Sequence, residues 1–250
     1  MIKILINGCN GKMGQEVAKA IEKNDNFTTI CGVDRIDTGD NKFPVYTDTS
    51  KILEEPDIII DFSIPVATFN ILEYACTKHI PVVIATTGFS DEELSKIEEL
   101  SKQTPIFRSA NMSYEINLMS NLVAKISQYL KNSDIEIIET HHNRKIDSPS
   151  GTALLLADSI NNALNNQMYY EYNRHAKREK RNKNEIGIHS IRGGNIVGKH
   201  TVTFFSENES LEITHNVTSR AVFAEGALKA AEFLVVQENG LYNMNDIFNS

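Results

Sequence analysis

Apolar positions fall along the chain in two rhythms that change near residue 112. Up to that point, short and nearly unbroken apolar runs alternate with stretches of helical spacing. The runs are IKILIN (residues 2–7), TTICGV (28–33), DIIID (57–61), PVVIAT (81–86) and PIFRSA (105–110). Helical spacing marks VAKAIEK (17–23), TFNILEYACTKH (68–79) and SDEELSKIEELSK (90–102), the last opened by Ser90 with Glu93 three places on, a capping-box signature. Strands that are apolar on every position, not every second one, are covered on both faces. A parallel sheet between two layers of helices is therefore expected.

Beyond residue 112 the rhythm differs. NLMSNLVAKISQYL (117–130) predicts a long amphipathic helix, IEIIET a strand, and SGTALLLADSINNAL (150–164) a second helix. GIHSIRG, IVGKHTVTFFS and SLEITHNV, between residues 187 and 217, alternate and lie close together, which predicts an antiparallel or mixed sheet. SRAVFAEGALKAAEFLVV (219–236) reads as an alanine-rich helix long enough to return to the first domain. The expected organisation is α/β, with one domain from residues 1–112 and 219–250 and a second, α+β domain with a mixed sheet from 113–218.

Composition narrows the class. The 250 residues carry 41% hydrophobic and 23% charged side chains, as an ordinary globular protein does. A net charge of −8 argues against a nucleic-acid binder or an anionic-membrane binder, both of which work through excess positive charge. Cys9, Cys31 and Cys76 are odd in number and lack a C-x-x-C pair, so neither a disulfide framework nor a zinc knuckle is expected. The apolar run at residues 2–6 is too short for a signal segment, and no stretch approaches the roughly 20 apolar residues that span a bilayer. A cytoplasmic protein with free thiols is the expectation. RHAKREKRNK (174–183) holds six cations, which reads first as a solvated loop and second as a surface that attracts an anionic substrate.

NGCNGKMGQ places Gly8, Gly11 and Gly14 between the first strand and the first helix. Glycines there let backbone N–H groups approach a pyrophosphate at the positive end of a helix, although the spacing is G-x-x-G-x-x-G and departs from the usual dinucleotide fingerprint. Asp34, twenty residues after Gly14, ends the second strand where a carboxylate can hold an adenosine ribose. This context makes the first domain a Rossmann-like one. Asp34 favours NAD, whereas Arg35 and Lys12 favour a 2′-phosphate, so use of either NADH or NADPH is expected. The loops ATTGF (85–89) and RSANM (108–112) follow later strands and are expected to border the nicotinamide.

ETHHNRKIDSPSGTALLLA (139–157) concentrates nitrogen at the end of a strand. His141 and His142 point to opposite sides there, so only one need enter a cleft. Lys145 and Arg144 add positive charge. Ser150, Gly151 and Thr152 open a helix whose free N–H groups form an anion site. Histidine suits proton delivery near neutral pH, and a neighbouring lysine stabilises developing negative charge. The segment therefore reads as a carboxylate holder beside a proton donor. No metal site is expected, because adjacent histidines diverge on a strand and no H-E-x-x-H helix accompanies them.

Taken together, NGCNGKMGQ, ATTGF, SANMS, ETHHNRKIDSPSGTA, HSIRGGNIVGKHTV and SRAVFAEGALKAA resemble the blocks of the 4-hydroxy-tetrahydrodipicolinate reductase (dihydrodipicolinate reductase) family over nearly the whole chain. The resemblance implies a homotetramer of subunits with a Rossmann domain and a substrate-binding, oligomerisation domain. It implies NADH- or NADPH-dependent reduction of the cyclic dicarboxylate derived from 4-hydroxy-tetrahydrodipicolinate to tetrahydrodipicolinate, in lysine and diaminopimelate synthesis. By position, it makes His141 the general acid and Lys145 a second proton donor, with His142, Lys145, Gly151 and Thr152 on the substrate carboxylates. It implies cofactor contacts from Gly8, Cys9, Asn10, Gly11, Lys12, Met13, Asp34, Arg35, Ala85, Thr86, Thr87, Ser109, Ala110, Asn111 and Met112. Ala85, Met112 and Lys12 depart from the glycine, aromatic and arginine residues common in the family. Two other classes remain open: a dinucleotide-binding redox sensor without turnover, and a metal-dependent hydrolase.

Overall fold

A computed structural model of the chain describes residues 1–109 and 111–248. The chain begins with β1 (Ile2–Asn7), α1 (Lys12–Ile21), β2 (Phe27–Val33), β3 (Val45–Tyr46), β4 (Ile58–Asp61), α2 (Pro65–Lys78), β5 (Val82–Ile84), α3 (Asp91–Ser101) and β6 (Pro105–Arg108). Its middle comprises α4 (Tyr114–Tyr129), β7 (Asp134–His141), α5 (Gly151–Ala163), β8 (Tyr169–Glu171), β9 (Glu185–Arg192), β10 (Gly198–Phe205) and β11 (Ser210–Val217). It closes with α6 (Ala221–Leu234), β12 (Gly240–Tyr242) and α7 (Met244–Phe248). Two compact units result: Met1–Tyr114 with the segment from Arg220 onward, and Glu115–Ser219.

In the first unit the strands form a seven-stranded sheet in the order β12-β6-β5-β4-β1-β2-β3, with every pair parallel. The continuous apolar runs explain it. Along β1, Ile4 and Ile6 join one core with Val17 and Ile21 of α1 and the alanines of α6, while Leu5 joins the opposite core with Ile71 and Leu72 of α2 and Ile97 of α3. Each such side chain removed from water contributes about 1.5–3 kcal/mol before entropy is counted. α3 starts where the sequence places it: the Ser90 hydroxyl accepts from Glu93 N and the Glu93 carboxylate accepts from Ser90 N.

The alanines of α6 are a packing device. Ala224, Ala227, Ala230 and Ala231 are fully buried, and a Cβ on Gly226 would stand 1.7 Å from the Met112 carbonyl oxygen. Small residues let this helix lie almost on the backbone it covers.

The second unit is a five-stranded sheet, β11-β10-β7-β9-β8. β7 pairs parallel with β9 and antiparallel with β10, so the sheet is mixed. α4 and α5 cover it through Ile116, Val123, Leu156 and Ile160, packed on Ile135 and Ile137 of β7.

Some boundaries differ from the sequence reading. The first helix begins at Lys12, five residues before its apolar spacing starts, because extended Gly11 caps it directly after the turn. The strand expected over residues 105–110 ends at Arg108. β3, β8 and β12 span only two or three residues, too few to register as a period. The basic run is not simply solvated. Arg174 pairs with Glu185 at 2.6 Å, Lys177 pairs with Glu171, and Arg181 holds Asp134 at 2.9 Å and Glu136 at 3.0 Å. Arg181 also donates to the carbonyls of Ile135 and Glu185, so it ties β7 to β9.

Replacing Gly226 with alanine is expected to destabilise the first unit by about 3 kcal/mol, since neither backbone can yield without disturbing a filled core. Urea denaturation of the variant beside the wild type checks this; coincident curves would contradict the close approach.

Candidate functional site

The glycine turn connects β1 to α1. Gly8 has φ +79°, and a Cβ there would lie 2.5 Å from the Phe62 carbonyl oxygen. A Cβ on Gly14 would lie 2.2 Å from the Gly8 carbonyl oxygen. These two positions must be glycine for the strand, turn and helix to close up. Gly11 N donates to Gly8 O at 3.0 Å, and no side chain caps α1, so the free N–H groups of its first turn, at Lys12 and Met13, face the loop. A cleft of about 1520 Å³ opens there, lined among others by Gly8, Asn10, Gly11, Asp34, Arg35 and Ser63. A bare backbone, a helix start and an acid at the edge of such a cleft fit a dinucleotide pyrophosphate and ribose.

Asp34 is already engaged: one carboxylate oxygen accepts from Asn10 N at 2.9 Å and the other from Arg35 N at 2.8 Å. It thus shapes the glycine turn as well as the edge of the cleft. Cys9 turns its thiol into the core beside Gly32, where burial, and then the nearby Asp34, push its pKa up to about 12. Only its backbone belongs to the turn. Met13 likewise packs against the core.

At the end of β4, Asp61 is fully buried and accepts from Asn7 Nδ2 at 2.7 Å, Ser63 Oγ at 2.5 Å, Thr68 Oγ1 at 2.6 Å and Thr86 Oγ1 at 2.9 Å. Burial pushes its carboxyl up, against the pull of these four donors. The Thr86 hydroxyl is therefore committed to Asp61 and to Ser63 N, while Ala85 N donates to Asp61 O. Thr87 is exposed. Ser109 Oγ donates to the Asn111 carbonyl, and Met112 is buried in the core beneath α6. Ala110 lies outside the described residues.

In the second unit, β7 places Glu139 and His141 on one face, two residues apart. Glu139 is completely buried. Its Oε2 lies 2.5 Å from His141 Nδ1 and 2.8 Å from Arg192 Nη1, and its Oε1 accepts from Arg192 Nη2 at 2.7 Å and from Ser150 N at 3.1 Å. Burial raises the carboxyl, but donors from Arg192, Ser190 and His141 outweigh it and bring the pKa down to about 2. An ionised carboxylate only accepts, so His141 Nδ1 carries a hydrogen and its Nε2 is the ring atom left for other chemistry. A Cβ on Gly198 would be 3.1 Å from that Nε2.

His200 stacks edge-on against His141 with centroids 5.1 Å apart, and its Nε2 lies 3.0 Å from Ser150 Oγ. Burial, and then the neighbouring His141, pull its pKa down to about 3, so it is neutral. Its buried Nδ1 has no partner among the described residues. A bare lone pair is cheaper to bury than an orphan N–H, which puts the hydrogen on Nε2, donating to Ser150 Oγ. That oxygen also accepts from Ala153 N as the cap of α5, which leaves its own hydrogen to donate. Gly151 and Thr152 form the first turn of α5. His142 follows β7 with its N–H on the Ile196 carbonyl, and Lys145 pairs with Asp147 at 2.8 Å. Arg144 reaches Asn195 at 2.9 Å.

Two family models match: "Dihydrodipicolinate reductase, N-terminus" over residues 2–112 and "Dihydrodipicolinate reductase, C-terminus" over residues 115–248. The chain belongs to the dihydrodipicolinate reductase family. It is 52% identical to the 4-hydroxy-tetrahydrodipicolinate reductase of Caldanaerobacter subterraneus subsp. tengcongensis, over 99% of this chain and 98% of that one. It is 47% identical to the Clostridium tetani enzyme of the same name, over 100% and 98%. A dipicolinate-bound dihydrodipicolinate reductase from Paenisporosarcina sp. TG-14 superposes with a TM-score of 0.82 at 26% identity, covering 98% of this chain and 99% of that one. An amine dehydrogenase from Mycobacterium smegmatis, at 11% identity and a TM-score of 0.66 over 98% and 95%, shares the fold alone.

Sequence reasoning gave no role to Glu139, Arg192, His200 or Asp61. Among the described residues no group of three or more metal-ligating side chains converges, and no helix is long and apolar enough to cross a membrane.

The two perturbed groups set a direction for acid stability. His200 binds a proton in the unfolded chain below about pH 6.5 but not in the folded one until about 3, and Glu139 is protonated near 4.5 when unfolded and near 2 when folded. Both contributions are intact above about pH 6.5. That of His200 is lost as pH falls from there towards 3, and that of Glu139 as it falls from about 4.5 towards 2. Urea midpoints are expected to drop between pH 7 and pH 4, more steeply than in a His200→Asn variant; equal slopes would contradict the neutral buried imidazole.

Proposed function

We propose that this chain catalyses the reduction of the cyclic, unsaturated dicarboxylate derived from 4-hydroxy-tetrahydrodipicolinate to tetrahydrodipicolinate, using NADH or NADPH, in lysine and diaminopimelate biosynthesis. The observation that carries this reading is His141, held by Glu139 and presenting Nε2, in the same unit as the start of α5. Family membership supports the reaction class, and the dipicolinate held by the Paenisporosarcina relative is itself a cyclic dicarboxylate.

A nicotinamide dinucleotide bound here would supply the hydride. Gly8, Gly11 and the first turn of α1 would hold its pyrophosphate, and Asp34 its ribose. Arg35 and Lys12 stand ready for a 2′-phosphate, which supports acceptance of NADPH as well as NADH. The backbone of residues 85–87, Ser109, Asn111 and Met112 borders the nicotinamide side. Hydride addition leaves an electron pair on the substrate ring, and a proton must meet it. A His141 imidazolium gives up its Nε2 proton to that position and keeps Nδ1–H on Glu139, and Lys145 is the alternative donor of the same proton. The N–H groups of Gly151 and Thr152, with His142 and Lys145, neutralise the substrate carboxylates through charge-assisted hydrogen bonds. Lys145 exchanges Asp147 for a substrate carboxylate when the ligand arrives.

The same reading makes the protein a cytoplasmic homotetramer whose second unit builds the assembly. Phe205 of β10, Ile138 of β7 and Ile191 of β9, exposed at 45%, 40% and 51% on one face of that unit's sheet, support an interface role for it.

An absorbance assay at the NADH band, with freshly generated substrate, tests the reaction. Substrate-dependent oxidation is expected and is insensitive to chelators. Nucleotide binding without oxidation would instead make the chain a sensor, and chelator-sensitive turnover without nicotinamide a hydrolase. Replacing His141 with glutamine is expected to lower kcat by about 100-fold or more while leaving NADH affinity unchanged. Thr152→Ala mainly raises KM for the dicarboxylate. Equal kcat in wild type and His141→Gln, with chemistry rate-limiting, would reject the general-acid role.

A further inference from the structure

We infer that Glu139 is a positioning residue that uses its two oxygens to fix the proton-bearing face of His141 and the anion-binding start of α5 against one another. The inference rests on the reading of His141 as general acid. It adds a residue that touches no substrate but sets the distance between the two groups that do.

The geometry divides the carboxylate cleanly. Oε2 takes the Nδ1–H of His141, and Oε1 takes the N–H of Ser150, the cap residue of α5. His141 is two residues from Glu139 and Ser150 eleven, across a loop, yet one rigid planar group spans them. Arg192 holds that group in place. It lies opposite His141 in the β7–β9 register and reaches back to grip both oxygens of Glu139 as a fork. Its Nη2 also donates to the Asp147 carbonyl at 2.7 Å, so the loop that carries Lys145 is anchored to the same guanidinium.

The other charged and titratable groups around His141 do not compete for its Nδ1. His200, from β10, meets the ring edge-on and bonds Ser150. Lys145 and Asp147 pair with each other, and His215 lies on β11 beyond His200. The Gly198 position, without a side chain, keeps room at Nε2. A ring rotated by half a turn would give up the Glu139 bond, so the carboxylate keeps Nδ1–H as the held group and Nε2 as the nitrogen that gives up and regains the proton.

An ion pair that served only to stabilise the fold would leave kinetics untouched in a folded variant. Glu139→Gln keeps the size and removes the charge; the Glu139→Gln, Arg192→Gln double variant also avoids a buried unpaired guanidinium. In whichever folds, kcat is expected to fall about 100-fold and KM for the dicarboxylate to rise several-fold, with NADH affinity unchanged. Proton NMR supplies a readout that needs no Glu139 variant. The wild type should show a strongly downfield Nδ1–H resonance that disappears in His141→Gln. Wild-type kcat and KM in a folded Glu139 variant, while His141→Gln is slow, would overturn this inference and leave the general-acid reading standing. Absence of the downfield resonance would overturn it too. A fully active His141→Gln would instead remove the reading on which it rests.

Discussion

A carboxylate with no access to water must be compensated completely, and Glu139 is the one around which the second unit is arranged. Taking such a charge out of solvent costs several kcal/mol even after relaxation, so the group persists in ionised form only where geometry and hydrogen bonding are nearly ideal. Here a forked guanidinium, an imidazole and a helix-cap amide meet its two oxygens. Each donor comes from a different part of the fold: β9, β7 itself and the start of α5. The central strand, the helix over it and the loop between them are thereby held by a single group.

The first unit solves a similar problem with the opposite result. Asp61 is as deeply buried as Glu139, but its donors are three hydroxyls and an amide, and burial carries its carboxyl upward. Asp61 therefore works as a knot, joining Asn7 at the end of β1, Ser63 and Thr68 around the start of α2, and Thr86 after β5. These are the carboxyl ends of three adjacent parallel strands, where ligands bind in such sheets. One buried acid is kept charged and holds an imidazole; the other is tied by neutral donors to steady the strand ends beside the glycine turn.

Much of this architecture was legible because it rests on long periodic segments and on local chemistry. The apolar runs of β1, β2 and β4, the Ser90 cap and the glycine turn declare themselves within a few residues. The nitrogen-rich segment also declared itself, since His141, Lys145 and the Ser150 helix start are close in sequence. What stayed hidden is what depends on register. Arg192 reaches Glu139 across fifty-three positions, and His200 reaches Ser150 across fifty. SIRGG and VGKHT were visible as family-like blocks, but no local pattern says that an arginine in one and a histidine in the other converge on β7. Asp61 had a fainter signal, an acid closing an otherwise apolar strand. Three cations of the largely exposed basic run had hidden partners for the same reason: the acids that pair with Arg174, Lys177 and Arg181 lie on β7, β8 and β9.

Those paired cations change how a dianionic substrate comes to be captured. With three of the six cations of that run, Arg174, Lys177 and Arg181, neutralised within the fold and the molecule carrying a net charge of −8, little attraction extends beyond a Debye length from the surface. On the proposed reading, recognition is then a matter of contact, exercised by oriented N–H groups and a few local cations at hydrogen-bond range. Such a site discriminates by the spacing of a ligand's two acid groups and is nearly blind to its total charge, so abundant cellular polyanions are poor competitors for it.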